Sequence, residues 1–127
     1  MIRRSTKEEL QAQNFQIEPH TTWLGYDGDW WAYELGGKIV ACLVVRTVRN
    51  RYVVAGVYTD PAYRGRGIMH ILLGYVANTA YKDASLYAGC LISSKHIFED
   101  VGFVHYRTVP YKHGTQYLVK REVKQCR

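Results

Sequence analysis

Tyr52-Val53-Val54-Ala55-Gly56-Val57-Tyr58-Thr59-Asp60-Pro61-Ala62-Tyr63-Arg64-Gly65-Arg66-Gly67-Ile68-Met69 reads as an apolar strand that stops at a proline, a glycine-rich turn and the start of a helix. Residues 52–57 are β-branched, aromatic or small, as in a buried strand. Ile68, Ile71, Leu72, Tyr75 and Val76 then recur at helical spacing. Gly65 and Gly67 therefore fall at the helix entrance. The first N–H groups of a helix lack intrahelical partners, the helix dipole favours negative charge there, and missing Cβ atoms let a phosphate approach the main chain. Arg64 and Arg66 add fixed positive charge. The chemistry implied is capture of a pyrophosphate. The competing reading is an ordinary strand-turn-helix junction whose glycines serve only geometry.

A chain of 127 residues reads as one domain, 1–127, with a single core. Apolar residues make up 47% of it, yet no run approaches the ~18 residues of a membrane span. The segment Met1 to Glu8 is charged and lacks the apolar stretch of a secretory signal, so a cytoplasmic location is expected. Cys42, Cys90 and Cys126 show neither metal-ligand nor redox-motif spacing; Cys42 and Cys90 read as small core residues, unpaired. Seventeen Lys and Arg against eleven Asp and Glu give a formal charge of +6, which steers anionic partners toward the surface. Nucleic acid is one such partner, and the eleven tyrosines could stack on bases. The basic residues are nevertheless spread along the chain from Arg3 to Arg127, with no recognition motif among them.

Working outward, Ser5 to Asn14 reads as a first helix, capped by Ser5 or Thr6 with Glu8 or Glu9 returning the capping bond. Residues 16–28 carry no period. Trp30 to Leu35 alternates as a strand, Gly36-Gly37 makes a hairpin turn, and Lys38 to Arg46 returns beside it. One of the adjacent Trp30 and Trp31 should enter the core while the other faces the opposite side of the sheet. A helix over about 67–81, a short strand over 85–89, a serine-capped helix over 93–101 ending at Gly102, and strands over 103–109 and 115–122 complete the chain.

The order strand, proline, Arg-Gly-x-Gly, helix resembles the acyl-CoA-binding segment of the GNAT N-acetyltransferase family: Arg or Gln, two residues, Gly, one residue, then Gly or Ala. Arg64 and Gly67 match it, whereas Met69 places a long side chain where the family keeps a small one. His96-Ile97-Phe98-Glu99-Asp100-Val101-Gly102-Phe103 is similar to that family's helix ending in Gly-Phe. The resemblance implies a mixed α/β sheet of six to seven strands, helices on both faces, and a splayed parallel strand pair with acetyl-CoA in the gap. It assigns Val57, Tyr58 and Thr59 to pantetheine, and Arg64, Gly65, Arg66, Gly67, Ile68 and Met69 to pyrophosphate. It places residues 16–28, with His20, Trp23, Tyr26 and Asp27, over the acceptor site.

Acetyl transfer needs a neutral amine, donors for the oxyanion and an acid for the leaving thiolate. The family's frequent acid, a tyrosine before Gly-Phe, falls here on Phe98, its usual asparagine falls near Leu91, and the strand 53–57 carries no carboxylate. Substitute catalytic residues are Tyr58, at the end of the central strand, Ser94, which could donate to the thiolate or cap its helix, and His96, a proton shuttle or a solvated surface residue. Three functions stay open. The chain can acetylate a primary amine on a small molecule, peptide or protein. It can modify nucleic acid, like phage Mom-type proteins acting on DNA adenine. It can also be a non-catalytic binding module of the same fold.

Overall fold

The computed structural model describes residues 1–12, 27–111 and 114–123. Seven strands, β1 (Ile2–Ser5), β2 (Asp29–Leu35), β3 (Lys38–Val48), β4 (Arg51–Thr59), β5 (Leu86–Cys90), β6 (Val104–Tyr111) and β7 (Gly114–Arg121), form one sheet in the order β1-β2-β3-β4-β5-β7-β6. Every pair is antiparallel except β4 with β5. The expected hairpin is present, with Gly36 and Gly37 at φ 56° and 79°, a conformation that matches the twist of the flanking strands. The expected anion loop follows β4 as a short 3₁₀ turn, Pro61–Tyr63, and α2 (Ile68–Tyr75) begins after Gly67.

Alternation on β3 sends Ala41, Leu43 and Val45 to one face and Cys42 and Val44 to the other, and a register shift opposite Tyr33 and Glu34 puts Val40 with the first set and Ile39 with the second. The larger core lies on the first face under α2 and α3 (Ile92–Asp100), which supply Leu72, Leu73, Val76 and Phe98. α1 (Lys7–Ala12) covers the second face with Leu10, against Trp30, Ala32 and Cys42. Helices thus cover both faces, and Trp30 is the core tryptophan. Trp31 lies on the other side, edge-on to Tyr75 and Tyr81. Cys42 and Cys90 are buried free thiols, as expected of small core residues.

Three boundaries depart from the sequence reading. Residues 2–5 form a strand rather than leading into a helix: they pair with Trp30 to Tyr33, and Thr6 caps α1 by accepting from the Glu9 N–H at 3.1 Å. α3 is capped by the backbone of Leu91, not by a serine; the Ser94 and Lys95 N–H groups both donate to the Leu91 carbonyl, so the serines lie inside the first turn. Pro110 belongs to β6 rather than to a loop, which an edge strand tolerates because its outer N–H has no ladder partner to lose. The other end of α3 behaves as read. Gly102, at φ 105°, donates to the Glu99 carbonyl and Phe103 N–H to Phe98, while the Phe98 and Phe103 rings pack edge to face at 5.2 Å. His20, Trp23, Tyr26, His113 and Cys126 lie outside the described residues.

Beyond Tyr75 the helix continues as a π-helical turn, Val76–Ala80, and Arg121 at the end of β7 fastens it to the sheet. Its guanidinium donates to the Tyr81 and Ala84 carbonyls, both at 2.8 Å, and to Asn78 Oδ1 at 3.4 Å. Arg121→Ala leaves two main-chain carbonyls without their charged donor. The expected loss is about 2 kcal/mol, read in a thermal melt as a fall of roughly 6–10 °C. A melt unchanged from the parent would show that water replaces the guanidinium at no cost.

The cleft originates in β4. Pairing with β3 runs Cys42↔Tyr58 and then Val44↔Ala55, so β4 carries one extra residue, and Gly56 within this bulge sits at φ 57°. A Cβ at Gly56 would lie 3.1 Å from the Trp30 ring, so the indole occupies the space a side chain would need. The bulge bends the strand. β4 pairs with β5 only over Tyr52–Val54 and Leu86–Ala88, and beyond those residues the parallel strands part.

Candidate functional site

A cavity of about 490 Å³ opens where β4 leaves β5, lined by the end of β4, the loop after it and the first turns of α2 and α3. Val57, Tyr58, Thr59, Arg64, Gly65, Gly67, Ile68 and Met69, all expected at a cofactor site, line it together. Arg66 stands beside rather than in the lining, its guanidinium 5.1 Å from the centre of the Tyr63 ring, which does line the cavity. Met69 differs from expectation in its attitude: it borders the cavity but is only 6% exposed, with most of its side chain in the core under α2.

The site is electropositive by construction. Gly67 caps α2 from the left-handed region, φ 74°, without a side chain. The first helical bond at its carbonyl is from Ile71, so the N–H groups of Ile68, Met69 and His70 precede the hydrogen-bonded ladder. A Cβ added to Gly65 or Gly67 would meet no protein atom within 4 Å, so the approach to these donors is open. α3 also begins at this cavity, contributing Ser93 and Ser94 near its own positive dipole end. Arg64 is held by a hydrogen bond from Nε to the Thr59 carbonyl, 2.9 Å, and its guanidinium lies over the Tyr58 ring at 5.4 Å. Asp60 fixes the loop, accepting from the Ala62 N–H at 2.9 Å and pairing with Lys38 at 3.5 Å. This arrangement can bind a multiply charged anion and lay an extended chain against β4.

Of the three catalytic candidates, Tyr58 and Ser94 face the same cavity, and His96 does not line it. The His96 ring packs instead near His70, centroids 5.8 Å apart, while His70 Nε2 and Asp100 Oδ2 join α2 to α3 at 2.9 Å. Phe98 is 2% exposed, in the core, which agrees with its inability to serve as an acid. The residues that sequence reasoning missed are Tyr63, His70 and Ile97. His70 follows Gly67 by three positions and Ile97 follows Ser94 by three, so helical spacing carried the signal once these helices were known to face each other. Among the described residues no group of His, Cys, Asp and Glu could hold a metal ion.

A bulged central strand, a splayed parallel pair and an open helix N-terminus define an α/β protein built to hold a phosphorylated ligand in the split of its sheet. The sequence profile of the acetyltransferase (GNAT) family matches residues 2–103, and the chain belongs to that family. No curated protein matches it at the sequence level. Similar solved structures include the ribosomal-protein-S18-alanine N-acetyltransferase from Escherichia coli, TM-score 0.78 at 16% identity over 99% of this chain and 95% of that one. Another is yncA from Salmonella typhimurium with its cofactor acetyl-CoA, TM-score 0.78 at 16% identity over 100% and 95%. A third is an IAA acetyltransferase from Bacillus cereus, TM-score 0.77 at 16% identity over 97% and 99%. At such identity the likeness carries the fold. Among the described residues no helix is long and apolar enough to cross a membrane.

Proposed function

We propose that this chain transfers an acetyl group from acetyl-CoA to a primary amine by direct attack within a ternary complex. The observation that carries the reading is the uncapped start of α2, free of Cβ atoms at Gly65 and Gly67, beside the point where β4 leaves β5. Acetyl-CoA supplies an activated acyl thioester. The donors of Ile68, Met69 and His70 with Arg64 hold its pyrophosphate, and the edge of β4 that turns away from β3 at Val57 to Thr59, beyond the last pair with β5, faces the pantetheine. The amine nitrogen bonds to the acyl carbon as the carbon–sulfur bond breaks. Tyr58, one of the residues lining the cavity, gives its O–H proton to the departing sulfur and is reprotonated from solvent, which takes up the proton the nitrogen loses. Ser94 lies across the same cavity as a second hydroxyl donor.

Neighbours bound to acetyl-CoA, such as the Salmonella protein, support the choice of cofactor. Calorimetric titration with acetyl-CoA, followed by thiol release in the presence of amine pools, tests the whole reading. Saturable binding and amine-dependent release are expected. Binding without release for any amine would favour a non-catalytic module of the same fold, and no binding would remove both.

A further inference from the structure

A second cavity, about 570 Å³, adjoins the same strand divergence from the other side of the sheet. Its wall residues Val53, Tyr87 and Leu118 alternate against Val54, Leu86, Ala88 and Val119, which face the core under α2 and α3. The cavity therefore opens on the face opposite the anion loop, and its floor includes Ala88 and Gly89, where β5 ceases to pair with β4.

Its chemistry is basic and aromatic. Arg51 lies over the Tyr87 ring at 4.5 Å, Tyr87 meets Tyr106 edge-on at 6.4 Å, and Lys120 lies over Tyr106 at 5.1 Å. Arg49, in the left-handed turn before β4, adds a further cation to the wall. Lys120 is paired with Glu122 at 2.7 Å; among the described residues neither Arg49 nor Arg51 has an ion pair. A guanidinium held over an aromatic face still carries N–H donors that suit an oxyanion. At the other end a Cβ on Gly89 would fall 2.5 Å from Gln116 Nε2, so the glycine makes room for that amide beside the divergence.

We infer that this cavity is the acceptor site and that it takes a small amine carrying a carboxylate or phosphate group. The anion sits on Arg49 and Arg51, the body lies along Tyr87, and the amine points past Gln116 and Gly89 into the split. Tyr87 and Gly89 are two positions apart on β5, about 7 Å, which sets the span between anion and amine at a chain of four or five carbons. The inference rests on the acetyltransferase reading and adds the acceptor class to it.

Three amines of equal length separate the alternatives: δ-aminovalerate, pentylamine and cadaverine, with aminopropyl phosphate as the phosphate arm. With saturating acetyl-CoA, kcat/KM for δ-aminovalerate or aminopropyl phosphate should exceed that for pentylamine at least tenfold, and cadaverine should be poorest. Whichever of the two anions is preferred identifies the group. Replacing Arg49 and Arg51 together by alanine should raise the acceptor KM and erase the preference, while the Kd for acetyl-CoA stays at the parent value. Equal rates for the three amines, a preference for cadaverine, or an unchanged preference in the double variant would overturn the inference. So would competition by a single-stranded oligonucleotide that outdoes both small anions, which would assign the face to nucleic acid. Should none of the amines turn over, calorimetry of the CoA-saturated protein with δ-aminovalerate and with aminopropyl phosphate decides, and absence of saturable binding to either overturns it. Failure of acetyl-CoA itself to bind is a separate result and strikes the acetyltransferase reading first.

Discussion

Gly67→Asp is expected to weaken acetyl-CoA binding at least ~100-fold in a protein that remains folded, with only a small fall in melting temperature. The two effects have separate causes, the first in the anion donors of α2 and the second in a side chain placed on a left-handed backbone. Position 67 lies in the left-handed region at φ 74°, which aspartate tolerates better than other non-glycine residues, and its Cβ would meet no protein atom within 4 Å. Once there, a carboxylate lies beside the first N–H groups of α2, a gain over glycine of only about a few tenths of a kcal/mol, which the strained left-handed backbone offsets. Those same donors are then spent, and a fixed negative charge occupies the place a phosphate would take. Calorimetry with acetyl-CoA and a thermal melt read the two consequences separately. Parent affinity in this variant would mean that the α2 start does not carry the pyrophosphate. Gly67→Val is the weaker experiment, since a β-branched residue at this φ strains the fold as well as blocking the site.

Much of this loop was legible in the sequence because its physics is local. A strand that ends at Pro61, two glycines and an apolar period of a helix are written within eighteen residues, and the structure places all but Arg66 of the assigned cofactor residues on one cavity. Elements fixed by distant partners were not legible. β1 is four residues with two arginines, has no apolar alternation, and exists because it pairs with β2 and because Arg3 reaches Glu9 at 2.7 Å and Glu34 at 2.9 Å. The bulge that opens the cleft was equally hidden: Gly56 reads as one small residue in a strand until the Trp30 ring is seen against it. The Met69 side chain was expected beside the cofactor because a motif gives position and not rotation; the first turn of α2 instead directs it mainly into the core. The aromatic-basic wall needed the sheet order, since Arg51, Tyr87 and Tyr106 come from three strands far apart in the chain.

Tyr58→Phe should lower kcat by something like the ~10²–10⁴-fold lost with a general acid, with acetyl-CoA affinity retained. The substitution removes one oxygen and little else. The Tyr58 ring packs on the core beneath α1, and Arg64 lies over it at 5.4 Å while bonded through Nε to the Thr59 carbonyl. A phenyl ring keeps the packing and the cation–π contact, so the anion loop keeps its position and the change is confined to the hydroxyl. The alternatives are unequal. Phe98, at the position where relatives often carry a tyrosine, is buried and without a proton, and His96 stands outside the lining, so of the other residues singled out in the sequence Ser94 remains on the cavity wall, beside the hydroxyls of Thr59, Tyr63 and Ser93. A serine hydroxyl is far less acidic than a phenol and serves better as a hydrogen-bond donor to a developing thiolate than as its proton source. Ser94→Ala is accordingly expected to cost less than Tyr58→Phe under the same assay. Turnover of Tyr58→Phe at the parent rate, with Ser94→Ala impaired, would reverse these roles and leave Tyr58 as the platform on which Arg64 rests.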